Sequence, residues 1–523
     1  MTMLHRGLSL IATLVLGFAL FVFLAYAFNL MTFPFDYDQG EGFELVDTIL
    51  FSEFRSPYQN TDAFPYYSSN YPPLYHVIAA PFVWVFGDAY WYGRLLSTVS
   101  TLIAAGAISY AVYRAEGHRW IAILAGLAFI SSNTVYHIGA LYRQHIMMVA
   151  FEVVAVVILV HAIPRKQTRA IALGLFLIVL AGYTKQLAAI TAIAVLGWLF
   201  LRNPRRGMMW GAGFTLVGGA IFGVLTISTG GEWWRQAILA NVNEFNPLQT
   251  FGLTLLWLRL HLLLIIPAGL FFAYELYADR LSLYSVWFLF ATVLGAIGSG
   301  TWGAGDSYFA TSIAATCILS GIFFSRILNN NWSVTKTAYS KFIPQSKHIL
   351  TASMLVIPVL YIGYGVMTFK MPTEGMIFGT VAQVLSIEPN VMGRHYDSAT
   401  YDVVGYANIG HFVTQEDIEN GRYIVSLIEA SETPVMSEEA GFSLVANRPV
   451  ITNPTQLRNL WLNGLWNGDA LIADIETQRY GIIIFRASFY PTPLLEAIGQ
   501  HYSVTETVIM NGFTYRILRP NDE

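Results

Sequence analysis

A single cysteine, Cys317, stands among 523 residues. No disulfide can form within the chain, and thiols say nothing of its redox compartment. Charge is scarce: Asp, Glu, Lys and Arg make up 12% of the residues, roughly half the share of a soluble domain. The histidines at 76, 137 and 145 are isolated, and neither CxxC nor HxxxH spacing occurs, so no metal pattern stands out. A Walker lysine-serine motif and a GxSxG elbow are also missing, which removes support for ATP hydrolysis and serine esterase chemistry. With a net charge of −4 and an isoelectric point near 6.3, nothing suggests a nucleic-acid partner.

What the chain has in abundance is apolar sequence. Hydrophobic residues make up 55% and mean hydropathy is +0.51, the composition of a polytopic membrane protein. Taking about 20 residues per span, the candidate spans are 8–30, 93–113, 119–136, 144–163, 168–184, 186–201, 208–228, 253–274, 281–300, 307–326 and 348–368. The first is too long for a signal-peptide core and reads as a retained span. A twelfth apolar stretch, 73–86, is shorter and proline-rich. Leaving it out gives eleven spans with the N-terminus inside.

Loop charge favours that count. The inside loops then hold fourteen cations: Arg6, Arg114, Arg119, Arg165, Lys166, Arg169, Arg202, Arg205, Arg206, Arg280, Arg326, Lys336, Lys341 and Lys347. The outside loops before residue 370 hold five: Arg55, Arg94, Arg143, Lys185 and Arg235. Cytoplasmic loops carry the excess of Lys and Arg. The 73–86 stretch is then expected to lie in the outer interface as an amphipathic helix, with Tyr75 and Trp84 at headgroup depth.

All the chemically mixed loops fall on the outer face. Directly after the first span comes Asp36-Tyr37-Asp38-Gln39-Gly40-Glu41-Gly42, three carboxylates within six residues. Acid is not needed there to anchor a helix, and the two glycines allow a tight turn or the close approach of a ligand. Later outer loops carry Tyr142 and Arg143, then Thr184-Lys185-Gln186, Trp233-Trp234-Arg235, and Thr301-Trp302 through Asp306 to Tyr308. Lys185, Arg143 and Arg94 each suit a snorkelling cation or a phosphate ligand. Trp233, Trp302 and Tyr308 suit headgroup anchoring or a sugar-binding face.

From about residue 371 charges become frequent and apolar runs shorten. Segments 434–438, 481–486 and 513–518 read as strands, and 415–430 and 492–500 as helices. We expect 1–370 to be a transmembrane catalytic domain with its first outer loop at 31–92, and 371–523 a small extracytoplasmic α/β domain.

The ordered set of outer-face elements resembles the GT-C membrane glycosyltransferases, in particular bacterial relatives of the protein O-mannosyltransferases and the lipid A aminoarabinose transferases. The resemblance rests on Asp38 and Glu41, on Tyr71-Pro72-Pro73-Leu74, on Phe86 through Gly93-Arg94-Leu95-Leu96-Ser97, on Thr184-Lys185-Gln186, and on Gly303-Ala304 through Tyr308-Phe309. It covers most of 8–320. Many relatives have Asp-Glu where this chain has Asp38-Gln39, a lysine where it has Thr301-Trp302, and an asparagine where it has Asp306-Ser307.

The resemblance implies a helical membrane fold and inverting transfer of a hexosyl or pentosyl group, at the outer face of the plasma (inner) membrane. The donor is a polyprenyl-phosphate-linked sugar and the acceptor a hydroxyl of a protein, lipid or glycan. A glycosyl phosphate already has a good leaving group, so one carboxylate suffices as general base. Asp38 is expected to be that base, and Glu41 to orient the acceptor or hold a divalent metal ion. Lys185, Arg143 and Arg94 are expected at the donor phosphate. Asp36, Tyr71, Trp233, Arg235, Trp302, Asp306 and Tyr308 are expected at the substrates. The alternative is a polytopic transporter or lipid flippase, which would place charge at mid-membrane and show paired halves.

Overall fold

The computed structural model describes residues 2–277, 281–329, 331, 347–369, 371–373, 375–387 and 412–521. Arg280, Lys336 and Lys341 of the inside-loop tally lie outside the described residues.

Each of the eleven apolar segments is helical. Helices Thr2–Met31, Trp91–Glu116, His145–Ala162, Pro204–Ser228 and Pro247–Tyr277, and the helical stretch Asp306–Asn329, are long and apolar enough to cross a membrane. Helices Arg119–Ser131, Thr168–Thr184, Ala189–Arg202, Leu283–Gly298 and Lys347–Thr368 complete the set. The segment expected as one span at 119–136 ends at Ser131. Ser132 takes φ −57°, ψ 132°, which leaves the helical region, and a short helix, Asn133–Ile138, follows. Among the described helices Pro204 sits at a first helical position, where its missing N–H costs nothing, and Asn203 caps the helix by accepting from the Arg206 N–H at 3.1 Å.

The loop at 31–92 folds into two helices, Glu41–Ser52 and Leu74–Phe86, packed on each other. The second covers the stretch expected as a helix at 73–86. Trp84, Val85 and Phe86 are exposed, and the Trp84 indole donates to the Ser52 carbonyl at 2.8 Å. Tyr75 differs from expectation. It is fully buried, because its hydroxyl donates inward to the Gly93 carbonyl at 2.9 Å.

The C-terminal α/β domain carries one four-stranded sheet: β1 (Val435–Ser437), β2 (Ile482–Phe485), β3 (Tyr502–Met510) and β4 (Phe513–Pro520). Strand order is β1-β2-β4-β3, with β1 and β2 parallel and the other pairs antiparallel. The β3–β4 hairpin turns on Asn511 and Gly512, both at positive φ (52° and 75°), the Asn-Gly signature of a two-residue hairpin. Helices Gln415–Glu429 and Thr492–His501 match the expected ones. Helix Pro454–Leu462 starts where Asn453-Pro454 reads only as a turn, with Asn453 as its cap.

This domain packs onto the acidic loop. The Gly441 N–H donates to Asp36 at 2.9 Å, and the Asn511 side chain donates to the Tyr37 carbonyl at 3.0 Å. The acidic loop and the C-terminal domain therefore lie on the same face of the helical bundle.

Candidate active site

The acidic loop is organised from within by Glu41 and Arg94, both fully buried. Arg94 donates through Nε and Nη2 to the two Glu41 oxygens, at 3.1 and 2.8 Å. Its remaining N–H groups reach the carbonyls of Leu30, Phe33 and Phe35 at 2.5–2.8 Å. Glu41 also accepts the N–H groups of Tyr37 at 2.9 Å and Tyr142 at 2.6 Å. Burial alone would push the Glu41 carboxyl up, but the Arg94 charge overrides it and holds the group below its ordinary value. Both side chains are committed to holding the chain as it leaves the first span. Neither lines the cavity described below, although Glu41 was expected to orient the acceptor or hold a metal and Arg94 to meet the donor phosphate.

Asp36 is equally enclosed. It accepts from Gly42 N–H at 2.5 Å, the Tyr90 hydroxyl at 2.9 Å and Gly441 N–H. Burial, with Glu41 nearby, raises its pKa. A Cβ on Gly42 would stand 2.6 Å from the Asp36 carboxylate, so the glycine is there for close packing rather than for a ligand. Asp36 docks the C-terminal domain and does not face a substrate space.

A cavity of about 690 Å³ opens beside this core, between the bundle, the 31–92 loop and the C-terminal domain. Of the expected residues, Tyr71, Arg143, Lys185, Trp302 and Tyr308 line it. Lys185 is almost fully buried. Its ammonium contacts His145 and lies 4.8 Å from the centre of the Tyr71 ring and 5.7 Å from that of Tyr308. A cation enclosed by aromatic faces in a cavity wall is not snorkelling to headgroups.

Arg143 reaches the cavity edge while holding Asp38 at 3.1 Å and Glu44 at 3.5 Å. Gly40 lies against it at φ 99°, where a Cβ would come within 2.7 Å of the guanidinium. Only glycine fits that turn and that approach. Asp38 itself, 1% exposed, sits behind Arg143 and outside the cavity lining.

The carboxylates that do line the cavity are Glu44 and Asp47, neither of which is among the expected site residues. Glu44 contacts His76 at 2.6 Å, and that contact raises the His76 pKa against the effect of burial. Asp47 accepts from the Tyr67 hydroxyl at 2.8 Å and from the Ser69 hydroxyl. Burial pushes it up to about 6, opposed by His76 and Ser69. The signal was present: Glu41, Glu44 and Thr48 share one helix face with the acidic turn, and Asp47 lies a turn beyond Glu44.

The other expected residues fall elsewhere. Trp233 is buried against Phe222 and Tyr183. Arg235 pairs with Glu232 at 3.1 Å and donates to the Leu465 carbonyl at 2.6 Å, which ties the 234–241 segment to the C-terminal domain. Asp306 lies beneath the late loop, accepting from Thr134 at 2.9 Å, while its neighbours Ser307 and Tyr308 reach the cavity. None of these three lines the cavity. No group of three His, Cys, Asp or Glu side chains able to hold a metal ion occurs among the described residues.

The fold is that of the GT-C membrane glycosyltransferases. Residues 70–233 match the family model described as dolichyl-phosphate-mannose-protein mannosyltransferase. ArnT from Cupriavidus metallidurans in the apo state is similar at TM-score 0.57, with 13% identity over 97% of this chain and 97% of that one. The same protein bound to undecaprenyl phosphate gives 0.56, with 12% identity over 95% and 97%. No curated protein sequence matches.

Proposed function

We propose that the protein transfers a sugar from a polyprenyl-phosphate donor to an acceptor hydroxyl at the outer face of the plasma (inner) membrane. The observation that carries this reading is the enclosed Lys185 ammonium in the cavity wall, framed by His145, Tyr71 and Tyr308. An anionic lipid phosphate is the group such a site suits, and the solved ArnT bound to undecaprenyl phosphate, similar in fold, supports it. Lys185 and Arg143 stabilise the phosphate as its negative charge grows.

Asp38 takes the acceptor proton in this reading. Arg143 links it to the cavity, and a donor phosphate competing for that guanidinium loosens its hold on Asp38. The acceptor oxygen then bonds to the anomeric carbon as the bond from that carbon to the phosphate oxygen breaks. The electron pair leaves with the phosphate and the proton ends on Asp38. A single displacement of this kind inverts the anomeric centre.

The test is transfer of a labelled sugar from polyprenyl phosphate by the purified full-length protein, with folding followed by thermal melt. Asp38→Asn is expected to lose about 10²- to 10⁴-fold in rate while binding undecaprenyl phosphate normally. Lys185→Ala is expected to lose donor affinity, which Lys185→Arg partly restores. Wild-type turnover in folded Asp38→Asn refutes the base.

A further inference from the structure

The C-terminal domain contributes more than a cover. Helix Pro454–Leu462 presents Thr455, Arg458 and Asn459 to the cavity. Arg458 lies 4.5 Å over the ring of Trp302, which lines the same wall. Among the described residues no carboxylate stands within ion-pair distance of its guanidinium. The contrast with Arg143 is direct, since Arg143 is held by Asp38 and Glu44.

Both halves of the stack are fixed from behind. Gln456 donates to the Gln236 carbonyl at 2.8 Å, Asn453 to the Ser68 carbonyl at 3.1 Å, and Asn463 to the Ala240 carbonyl at 3.2 Å. Trp302 is pinned by its own N–H to the Glu244 carbonyl and by Asn243 to its carbonyl, each at 2.9 Å. The guanidinium is thus a preorganised planar donor, half-buried and backed by an aromatic face, a geometry suited to phosphate or carboxylate. Next to it the Asn459 Oδ1 is buried and accepts no hydrogen bond in the structure, a place for a ligand hydroxyl to donate.

We infer that Arg458, backed by Trp302, recognises an anionic group on the acceptor, so that this wall selects acceptors bearing a phosphate or carboxylate beside free hydroxyls. The assignment to the acceptor rests on the donor phosphate lying at Lys185, as proposed above.

The probes are glucose 6-phosphate and glucuronate, with glucose as the neutral control. Each is titrated into the full-length protein in detergent, with and without saturating undecaprenyl phosphate. At least one anionic probe is expected to bind about tenfold or more tightly than glucose when the lipid phosphate is bound, as a charge-assisted contact should allow. Arg458→Gln removes that preference, Arg458→Lys keeps part of it, and Trp302→Ala weakens it. The affinity for undecaprenyl phosphate stays unchanged in all three. The inference is overturned if the wild type shows no anionic preference, if the preference survives Arg458→Gln, or if undecaprenyl phosphate displaces the probe, which would assign the anion to the donor site. If undecaprenyl phosphate does not bind while the Arg458-dependent preference persists, the donor reading falls and the anion site stands.

Discussion

Replacing Arg94 by lysine separates a folding role from a donor-binding one. The guanidinium makes five hydrogen bonds, two to Glu41 and three to main-chain carbonyls that end the first span. Lysine keeps the charge but has three donors on one nitrogen, so at least two of these five hydrogen bonds are lost. Each lost bond costs about 0.5–3 kcal/mol, most where the acceptor is the Glu41 carboxylate, so Arg94→Lys should cost roughly 1–6 kcal/mol. That is a large part of a total stability of about 5–15 kcal/mol. Glu41→Gln should be similarly severe, since breaking a buried ion pair costs about 3–5 kcal/mol. The assay is thermal unfolding of the purified full chain in detergent, beside undecaprenyl-phosphate binding corrected for the folded fraction. We expect a much lower melting temperature with unchanged donor affinity per folded molecule. An Arg94→Lys protein that melts like the wild type but binds donor poorly would refute the reasoning and return Arg94 to the phosphate.

Three further outcomes are expected. The folded-state pKa of Asp47 is raised from 3.8 to about 6, so the folded form holds its proton more tightly. Its contribution to stability is full below pH 4 and falls by about 3 kcal/mol as pH rises through 6. Wild-type minus Asp47→Asn unfolding curves should show that slope, and parallel curves would contradict it. Glu438 accepts the N–H groups of Arg486, Ala487, Ser488 and Phe489, and the last three residues line the cavity. Glu438→Gln removes one acceptor oxygen, at about 1–3 kcal/mol, and should speed hydrogen exchange at 486–489; unchanged protection there would count against the clamp. A reporter fused after Phe369 should be active only outside the cytoplasm, as the loop-charge asymmetry requires, and activity restricted to the cytoplasm would overturn the eleven-span topology.

Local pattern carried the helices and the acidic loop into view, because an apolar run ending in carboxylates is a feature of neighbouring residues. The roles inside the loop were hidden for the opposite reason. The Arg94 that satisfies Glu41 is 53 residues away and the Tyr142 N–H that completes it is 101 away. A sequence read locally sees three similar carboxylates where the fold makes one dock, one ion-pair partner of Arg143 and one buried strut. His76 and His145 read as isolated, yet one meets Glu44 and the other Lys185. In the C-terminal domain β1, β2 and β4 were visible as apolar runs. β3 was not, because it lies at the sheet edge and several of its residues face solvent, so its alternation carries little hydrophobic signal.

The distribution of carboxylates explains why the loop and the C-terminal domain have to be read as one device. Asp36 uses Gly441 of that domain as one of its three partners, and Asn511 at the hairpin tip holds the Tyr37 carbonyl between Asp36 and Asp38. The position of Asp38, and so of Arg143 and the cavity edge, depends on contacts made by residues some 400 positions later. The same domain supplies Arg458 and the 487–489 wall. A domain that only displayed an acceptor would need no bond to the loop that carries the proposed base. In the proposed reading, one that sets the backbone of that loop and one wall of the cavity would couple acceptor seating to the placement of Asp38. Its removal would therefore disturb the loop conformation as well as acceptor choice.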